Sequence, residues 1–400
     1  MKPDRPRKGL ALLLAALSAL GPFSIDAYLP SFNDIGLTLS ATPLQVQQTL
    51  TAYLLPFAFM SLWHGSISDA LGRRRVILWA LVLFGLTSLG CALVTQIEQL
   101  WILRAAQGTT AGVGVVVGRA IVRDLFDGPL AQKMMAHVSM TFAFAPALAP
   151  VIGGWLHSLF GWRSVFLFLA LFTVLLFCIS WRFLPETLPP EKRQSLKFGY
   201  LGRTYCKVLT CPPFLAVCLA IAFNFSGFFL YPLSAPAFLI RHLGVSEREF
   251  LWLFGPAMAG MMLGSWLSGH LAGKISARAT IRRGFLIMVL AAATNVTLNL
   301  ILPPMLPWAI LPIFVYTIGM ALAMPSLTLL ALDLFPAQRG MAASCQSFLQ
   351  SAVSSLTAGI IAPLLWGSTL TLSFGMTGLL FFGVFSSLSY GVFVMRRTAS

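Results

Sequence analysis

The sequence predicts an all-α polytopic membrane protein of twelve transmembrane helices arranged as two six-helix bundles. Three observations carry this. Apolar residues make up 58% of the 400 positions and charged residues only 10%, a balance foreign to soluble domains. Apolar runs long enough to cross a bilayer, roughly 18–24 residues each, recur twelve times. One long polar connection, about 184–213 and containing Pro185-Glu-Thr-Leu-Pro-Pro-Glu-Lys-Arg, divides them six and six.

The runs fall at about 9–30, 45–66, 75–95, 100–122, 132–156 and 164–183, then 213–233, 251–272, 284–302, 308–331, 342–364 and 370–394. These give an N-terminal bundle over 1–183, a linker over 184–213 and a C-terminal bundle over 214–400. Lys2, Arg5, Arg7 and Lys8 before the first run mimic a secretory signal, but eleven further segments follow and the run continues to Tyr28, so an uncleaved first helix is expected. With the N-terminus inside, all Lys and Arg except Arg104, Arg119, Arg163, Arg241 and Arg248 fall on the cytoplasmic side. The positive-inside rule therefore accounts for the net charge of +15 without a nucleic-acid partner. Both termini are expected in the cytoplasm. The six cysteines form no disulfide framework and show no metal-ligand spacing.

The most informative stretch is Gly65-Ser-Ile-Ser-Asp69-Ala-Leu-Gly72-Arg73-Arg74-Arg75, read as a tight charged loop between the second and third helices. Asp69 and three arginines do not lie in hydrocarbon, and Gly65 and Gly72 suit close helix approach and a sharp turn. A degenerate copy, Gly269-His-Leu-Ala-Gly273-Lys-Ile-Ser-Ala-Arg278, follows the eighth helix with Gly273 at the position of Asp69. Such repetition suits two related bundles with a substrate site near the membrane midplane.

Intramembrane charges point to function because they are costly and face a cavity or a partner. Asp26 lies near the outer end of the first helix and Arg104 at a similar depth in the fourth. A carboxylate there is subject to opposed pulls from desolvation and a guanidinium, a competition that suits proton coupling. The competing reading has Asp26 capping the helix end or pairing statically. For Arg104 the competing reading is a snorkelling or structural arginine supported by Gln107. Tyr53, Phe57, Gln107, Asn224, Phe225, Phe228 and Tyr231 are candidate substrate contacts at mid-depth, since such cavities are mostly apolar with a few polar groups. In a chain with 32 Phe, plain packing or lipid contact competes with each. His64, His137 and His270 are expected to bond locally, and Asn295 and Asn299 to have no site role.

The loop around Asp69 resembles the one between helices 2 and 3 of the major facilitator superfamily. Arg104-Ala-Ala-Gln107-Gly108 resembles the helix-4 motif of that superfamily's drug:proton antiporters. Pro150, Gly153 and Gly154, in Ala145-Pro146-Ala-Leu-Ala149-Pro150-Val-Ile-Gly153-Gly154, match their helix-5 motif, with alanines at two of its glycines. The resemblance narrows to the Bcr/CflA (bicyclomycin and chloramphenicol resistance) group on Asp26-Ala-Tyr28-Leu29-Pro30, Gly118-Arg119-Ala-Ile-Val-Arg123-Asp124, Gly161-Trp162-Arg163, Pro185-Glu186-Thr187 and Phe229-Leu-Tyr231-Pro.

It implies the major facilitator fold and an arginine at 104 that assists proton transfer by tuning a carboxylate, since arginine does not itself deprotonate. It also implies pivoting of helix 5 on its small residues, and a conformational latch of Gly65, Asp69, Gly72, Arg73, Arg119, Arg123 and Asp124 reaching the start of helix 11 near Met341. The function implied is proton-coupled multidrug efflux of small amphipathic compounds by alternating access, in a monomer of the bacterial inner membrane. Its partners are a drug-like substrate, protons and the lipid bilayer, with no cofactor, metal or nucleic acid.

An ion gradient is the expected energy source because no Gly-x-x-x-x-Gly-Lys-[Ser/Thr] loop is present. The alternative within transport is a narrow exporter or importer of a metabolite such as a nucleoside or sugar. A membrane enzyme lacks a recognisable catalytic constellation, and a receptor lacks a sensor domain, the longest loop being about 30 residues, the length of a linker.

Overall fold

In hydrocarbon every backbone N–H and C=O must find an internal partner, so long apolar runs fold as helices. A computed structural model describes residues 8–126, 145–193, 198–246, 248–271, 274–335 and 339–398. The chain forms two compact units, Met1–Phe198 and Gly199–Ser400.

The first unit contains α1 (Lys8–Asp26), a 3₁₀ turn at Leu29–Ser31, α2 (Phe32–Thr38), α3 (Pro43–Leu71), α4 (Arg73–Leu93), α5 (Ile97–Ala111), α6 (Val113–Leu125), α7 (Ala145–Phe160) and α8 (Arg163–Phe183). A capping box starts α3: the Gln45 N–H donates to Thr42 Oγ1 and the Thr42 N–H to Gln45 Oε1, meeting two of the orphan donors of a helix start. α3 packs on α5, α4 on α5 and α8, and α1 on α6 and α7.

The second unit contains α9 (Phe198–Leu209), α10 (Pro212–Leu233), α11 (Leu251–Leu271), α12 (Ala277–Ile301), α13 (Leu311–Asp333), α14 (Arg339–Leu356), α15 (Ala362–Leu365) and α16 (Thr369–Thr398). π-helical turns at Pro236–His242 and Thr357–Ile361 follow α10 and α14. α10 packs against α16, α14 and α13, and α13 also packs on α11 and α12.

Nine described helical stretches are long and apolar enough to cross a membrane. The other three predicted spans correspond to α3, α11 and α7. α3 is diluted by Gln45, Gln47, Gln48, Thr49 and Thr51, and α11 by glycine, serine and His270, while only Leu148–Phe160 of the fifth span is apolar and described. Leu86, Leu171, Leu364 and Phe385 are among many large apolar side chains left exposed, a surface that suits lipid rather than water.

Several expectations are corrected. The supposed loop 65–75 is helical through Leu71, resumes as helix at Arg73, and leaves Gly72 alone as the joint. Gly65 lies inside α3, where a Cβ would meet only Val116 at an ordinary 3.8 Å, so close approach does not require glycine there. The predicted fourth helix is one apolar span, Ile97–Val122, with a single turn at Gly112 between α5 and α6. The predicted linker holds a helix, α9. Part of the predicted fifth helix, with His137, lies outside the described residues.

Candidate functional site

The centre of the first unit is a buried cation. Arg104, on α5, has no solvent exposure. Its guanidinium carbon lies 4.5 Å from the Tyr28 ring centroid and 4.2 Å from that of Tyr53, so the charge is held between two aromatic faces. Arg104 Nη1 donates to Gln107 Oε1 at 2.5 Å, and Gln107 Nε2 donates to Ser88 Oγ at 2.7 Å. Nε and Nη2 of Arg104 are buried with no hydrogen-bond partner, and Arg104 forms no ion pair among the described residues.

Tyr28 and Tyr53 are themselves fixed. The Tyr28 hydroxyl shares a hydrogen bond with Thr49 Oγ1 at 2.8 Å. The Tyr53 hydroxyl donates to the Gly21 carbonyl at 3.0 Å and lies 2.8 Å from Ser24 Oγ. Phe57 stacks one helical turn below Tyr53, with ring centroids 6.3 Å apart.

Asp26 is the last residue of α1, two positions beyond Ser24, and only 5% exposed. It makes no hydrogen bond or ion pair among the described residues, so the two charges singled out in the sequence lie in one unit unpaired. A lone buried carboxylate is costly unless it is protonated or finds a partner.

Pro150, Gly153 and Gly154 lie on α7. A Cβ on Gly153 would collide with the backbone carbonyl of Ala27. The absence of a side chain at 153 therefore lets α7 close on the chain leaving Asp26.

A second cluster surrounds the α3–α4 joint. Gly72 has φ +99°, a conformation that favours glycine, and a Cβ there would come within 2.6 Å of Glu186 Oε2. Arg73 is almost wholly buried. Its Nη1 lies 2.5 Å from Asp69 Oδ1 and donates to Ser68 Oγ at 2.6 Å, while its Nε donates to Asp124 Oδ2 at 3.2 Å. Its backbone N–H donates to Glu186 Oε1 at 2.9 Å, and Thr187 Oγ1 donates to Asp124 Oδ2 at 2.8 Å. Asp69, Arg73 and Asp124 thus meet in one network of charge-assisted bonds. Arg119 is exposed on α6. Arg123 lies one residue before Asp124, and its side chain is outside the described residues.

In the second unit Asn224, Phe225, Phe228 and Tyr231 all lie on α10. Asn295 Nδ2, on α12, donates to the Tyr231 hydroxyl at 2.6 Å, and the Tyr316 hydroxyl, on α13, donates to the Asn224 carbonyl at 3.0 Å. Asn224 Oδ1 is buried without a partner. Phe225 sits edge-on to Phe228, with centroids 6.2 Å apart. His64 and His270 bond locally, to the Thr109 carbonyl at 2.8 Å and to Lys274 Nζ at 3.0 Å.

Sequence reasoning missed Tyr28 as a wall of the Arg104 site, Ser24 and Ser88 as its supports, and Glu186 and Thr187 as partners of the joint. The last two stood in the motif Pro185-Glu186-Thr187, where only a family likeness marked them.

Comparison with known proteins bears on the family and the fold. A sequence profile of the Major Facilitator Superfamily matches residues 11–358. The MFS-type transporter YdgK of Bacillus subtilis is 35% identical over 363 residues, covering 90% of this chain and 89% of its own. A bicyclomycin resistance protein homolog of Haemophilus influenzae is 31% identical over 280 residues, 70% of each chain. Multidrug resistance protein D of Escherichia coli is 27% identical over 356 residues, 89% of each. Among solved structures, a D-xylose–proton symporter superposes with a TM-score of 0.76 at 15% identity over 96% of both chains. A bacterial homolog of the human lysosomal transporter Spinster does so with 0.71 at 18% identity over 97% of both. At those identities the likeness concerns the fold alone.

Proposed function

Because the chain belongs to the Major Facilitator Superfamily, a family of membrane transporters, we propose that it is a proton-coupled multidrug antiporter, exporting small amphipathic compounds across a bacterial inner membrane by alternating access. The observation that carries this reading is the pair of unmet needs in the first unit. Asp26 is buried without a partner, and Arg104 offers two buried donors without acceptors.

A protonated Asp26 tolerates its apolar surroundings, whereas a deprotonated one needs a counter-charge. Arg104 supplies it if α1 or α5 shifts, because a guanidinium stays charged at any working pH. Proton loss then favours a rearrangement that proton uptake reverses, and substrate binding to one arrangement biases the same equilibrium. Gln107 and the tyrosines around Arg104 are buried as they stand and Phe57 is half-buried; together they supply the aromatic, weakly polar groups that an amphipathic compound would meet if the bundle opened there. So do Asn224, Phe225, Phe228 and Tyr231 in the second unit. The joint at Gly72, with Asp69, Arg73 and Asp124, acts as the conformational latch and takes no part in proton transfer, and Gly65, Arg119 and Arg123 flank it. Pro150, Gly153 and Gly154 give α7 the freedom to move against α1.

The names of two relatives, a bicyclomycin resistance protein homolog and multidrug resistance protein D, support drug export over metabolite uptake. The excess of Lys and Arg in the predicted inward loops supports cytoplasmic termini, and a monomer carries every group the mechanism uses. Proteoliposomes with an imposed pH gradient test the coupling. Drug accumulation should follow the gradient and stop when a protonophore collapses it, and transport unaffected by the collapse would refute the reading.

A further inference from the structure

Beside the Gly72 joint, a groove of about 470 Å³ opens between α4 and α8. Its upper rim carries three guanidinium groups, Arg74, Arg75 and Arg193, against one carboxylate, Glu186. That carboxylate is already engaged, accepting the backbone N–H groups of Arg73 and Leu188. Arg74 donates to the Trp181 carbonyl, yet its Nε and that of Arg193 are buried with no acceptor. The rim therefore has a surplus of positive charge and unmet donors. Below it the groove is apolar, walled by Leu78, Val82 and Phe177. Trp79 lines it too and is 69% exposed, and Trp181, whose carbonyl Arg74 meets, is 62% exposed, the amphipathic rings that favour the headgroup level of a bilayer.

We propose that this groove binds an anionic phospholipid, its headgroup phosphate on Arg74, Arg75 and Arg193 and one acyl chain lying along α4 past Val82 and Phe177. A soluble anion would satisfy the rim but leave the apolar floor exposed, and a neutral lipid would cover the floor but leave the guanidinium donors unmet. An anionic lipid does both. Arg73, the next residue along, belongs to the α3–α4 joint, so lipid bound here adds its contacts to the arrangement in which that joint is closed. The inference does not depend on what the protein transports.

The test uses the full-length purified protein, delipidated and titrated with phosphatidylglycerol or phosphatidylcholine under native mass spectrometry. Wild type should hold phosphatidylglycerol the more tightly. R75Q/R193Q, altering one exposed and one half-buried residue, should reduce phosphatidylglycerol affinity about thirtyfold, at the usual worth of two cations near an anionic headgroup, while leaving phosphatidylcholine binding and the thermal midpoint unchanged. W79A should weaken both lipids alike. An unchanged preference in R75Q/R193Q overturns the assignment. So does displacement of phosphatidylglycerol by free glycerol phosphate at matched concentration, which would make the rim a site for soluble phosphates.

Discussion

The buried centres of the two units are built from different chemistry. In the first, Arg104 sits between Tyr28 and Tyr53 with two donors unmet, and Asp26 is enclosed without a partner. In the second, neutral groups mostly satisfy one another: Asn295 donates to Tyr231, Asn299 to Asn295, and Tyr316 to the Asn224 carbonyl. A satisfied neutral network rigidifies a bundle, whereas an unsatisfied pair of opposite charges invites two alternative arrangements. The first unit therefore has the character of a switch, and the second that of a scaffold.

The largest expected effect breaks that contrast at its charged end. Asp26→Asn keeps the shape of the side chain and removes its proton, so gradient-driven efflux in proteoliposomes should fall to background while the thermal midpoint holds or rises. Full resistance retained in cells would remove Asp26 from the coupling role. Asn295→Leu is the counterpart in the second unit. It deprives the Tyr231 hydroxyl of its donor and should cost about 1–3 kcal/mol of stability, yet leave the dependence of transport on the pH gradient intact. If Asn295→Leu uncouples transport and Asp26→Asn does not, the contrast between switch and scaffold is reversed.

The next effect concerns the packing that encloses Asp26. Gly153→Ala sets a methyl group against the Ala27 carbonyl, and overpacking of that kind costs about 1–3 kcal/mol. Because the strain falls one residue past Asp26, transport should fall more steeply than the thermal midpoint does. Equal losses in both would mean that α7 serves packing alone.

How much of this was legible in the sequence follows the range of each interaction. Asp69 and Arg73 stand four residues apart in the one short stretch marked by its charge, so both were legible. Arg104 and Asp26 stood out because a charge in an apolar run is rare whatever surrounds it. Glu186 reaches Arg73 across 113 residues and Thr187 reaches Asp124 across 63, through packing that no local pattern encodes. Tyr28 was hidden, and Tyr53 stood out only as a candidate substrate contact, for another reason. In a chain this rich in aromatic residues, a ring over a guanidinium carries the same signature as one facing lipid. The helicity of residues 65–71 escaped because glycine, serine and charge read as a loop, while the backbone needed only Gly72 to turn.

The two joints offer a finer comparison of the same kind. In the first unit Arg73 is buried and bonded to two carboxylates and a serine. In the second unit Ala277 stands at the place of Arg73, and Arg278, at the place of Arg74, is exposed at the start of α12, where Ser276 caps the helix by accepting the Ala279 N–H at 3.2 Å. An arginine is kept out of water where acids receive it, and Gly273 stands where the first unit has Asp69. Asp124→Asn should therefore cost about 1–3 kcal/mol, toward the low end because Asp124 is 21% exposed and solvent screens part of the pair. It should also shift the balance between conformations, seen as altered labelling of cysteines introduced along α3 and α4. Arg278→Ala should change stability by no more than about 0.5 kcal/mol and leave labelling and transport at the wild-type level. A cost for Arg278→Ala as large as that for Asp124→Asn would show that the second joint is also held by charge, and the asymmetry between the two units would not extend to their turns.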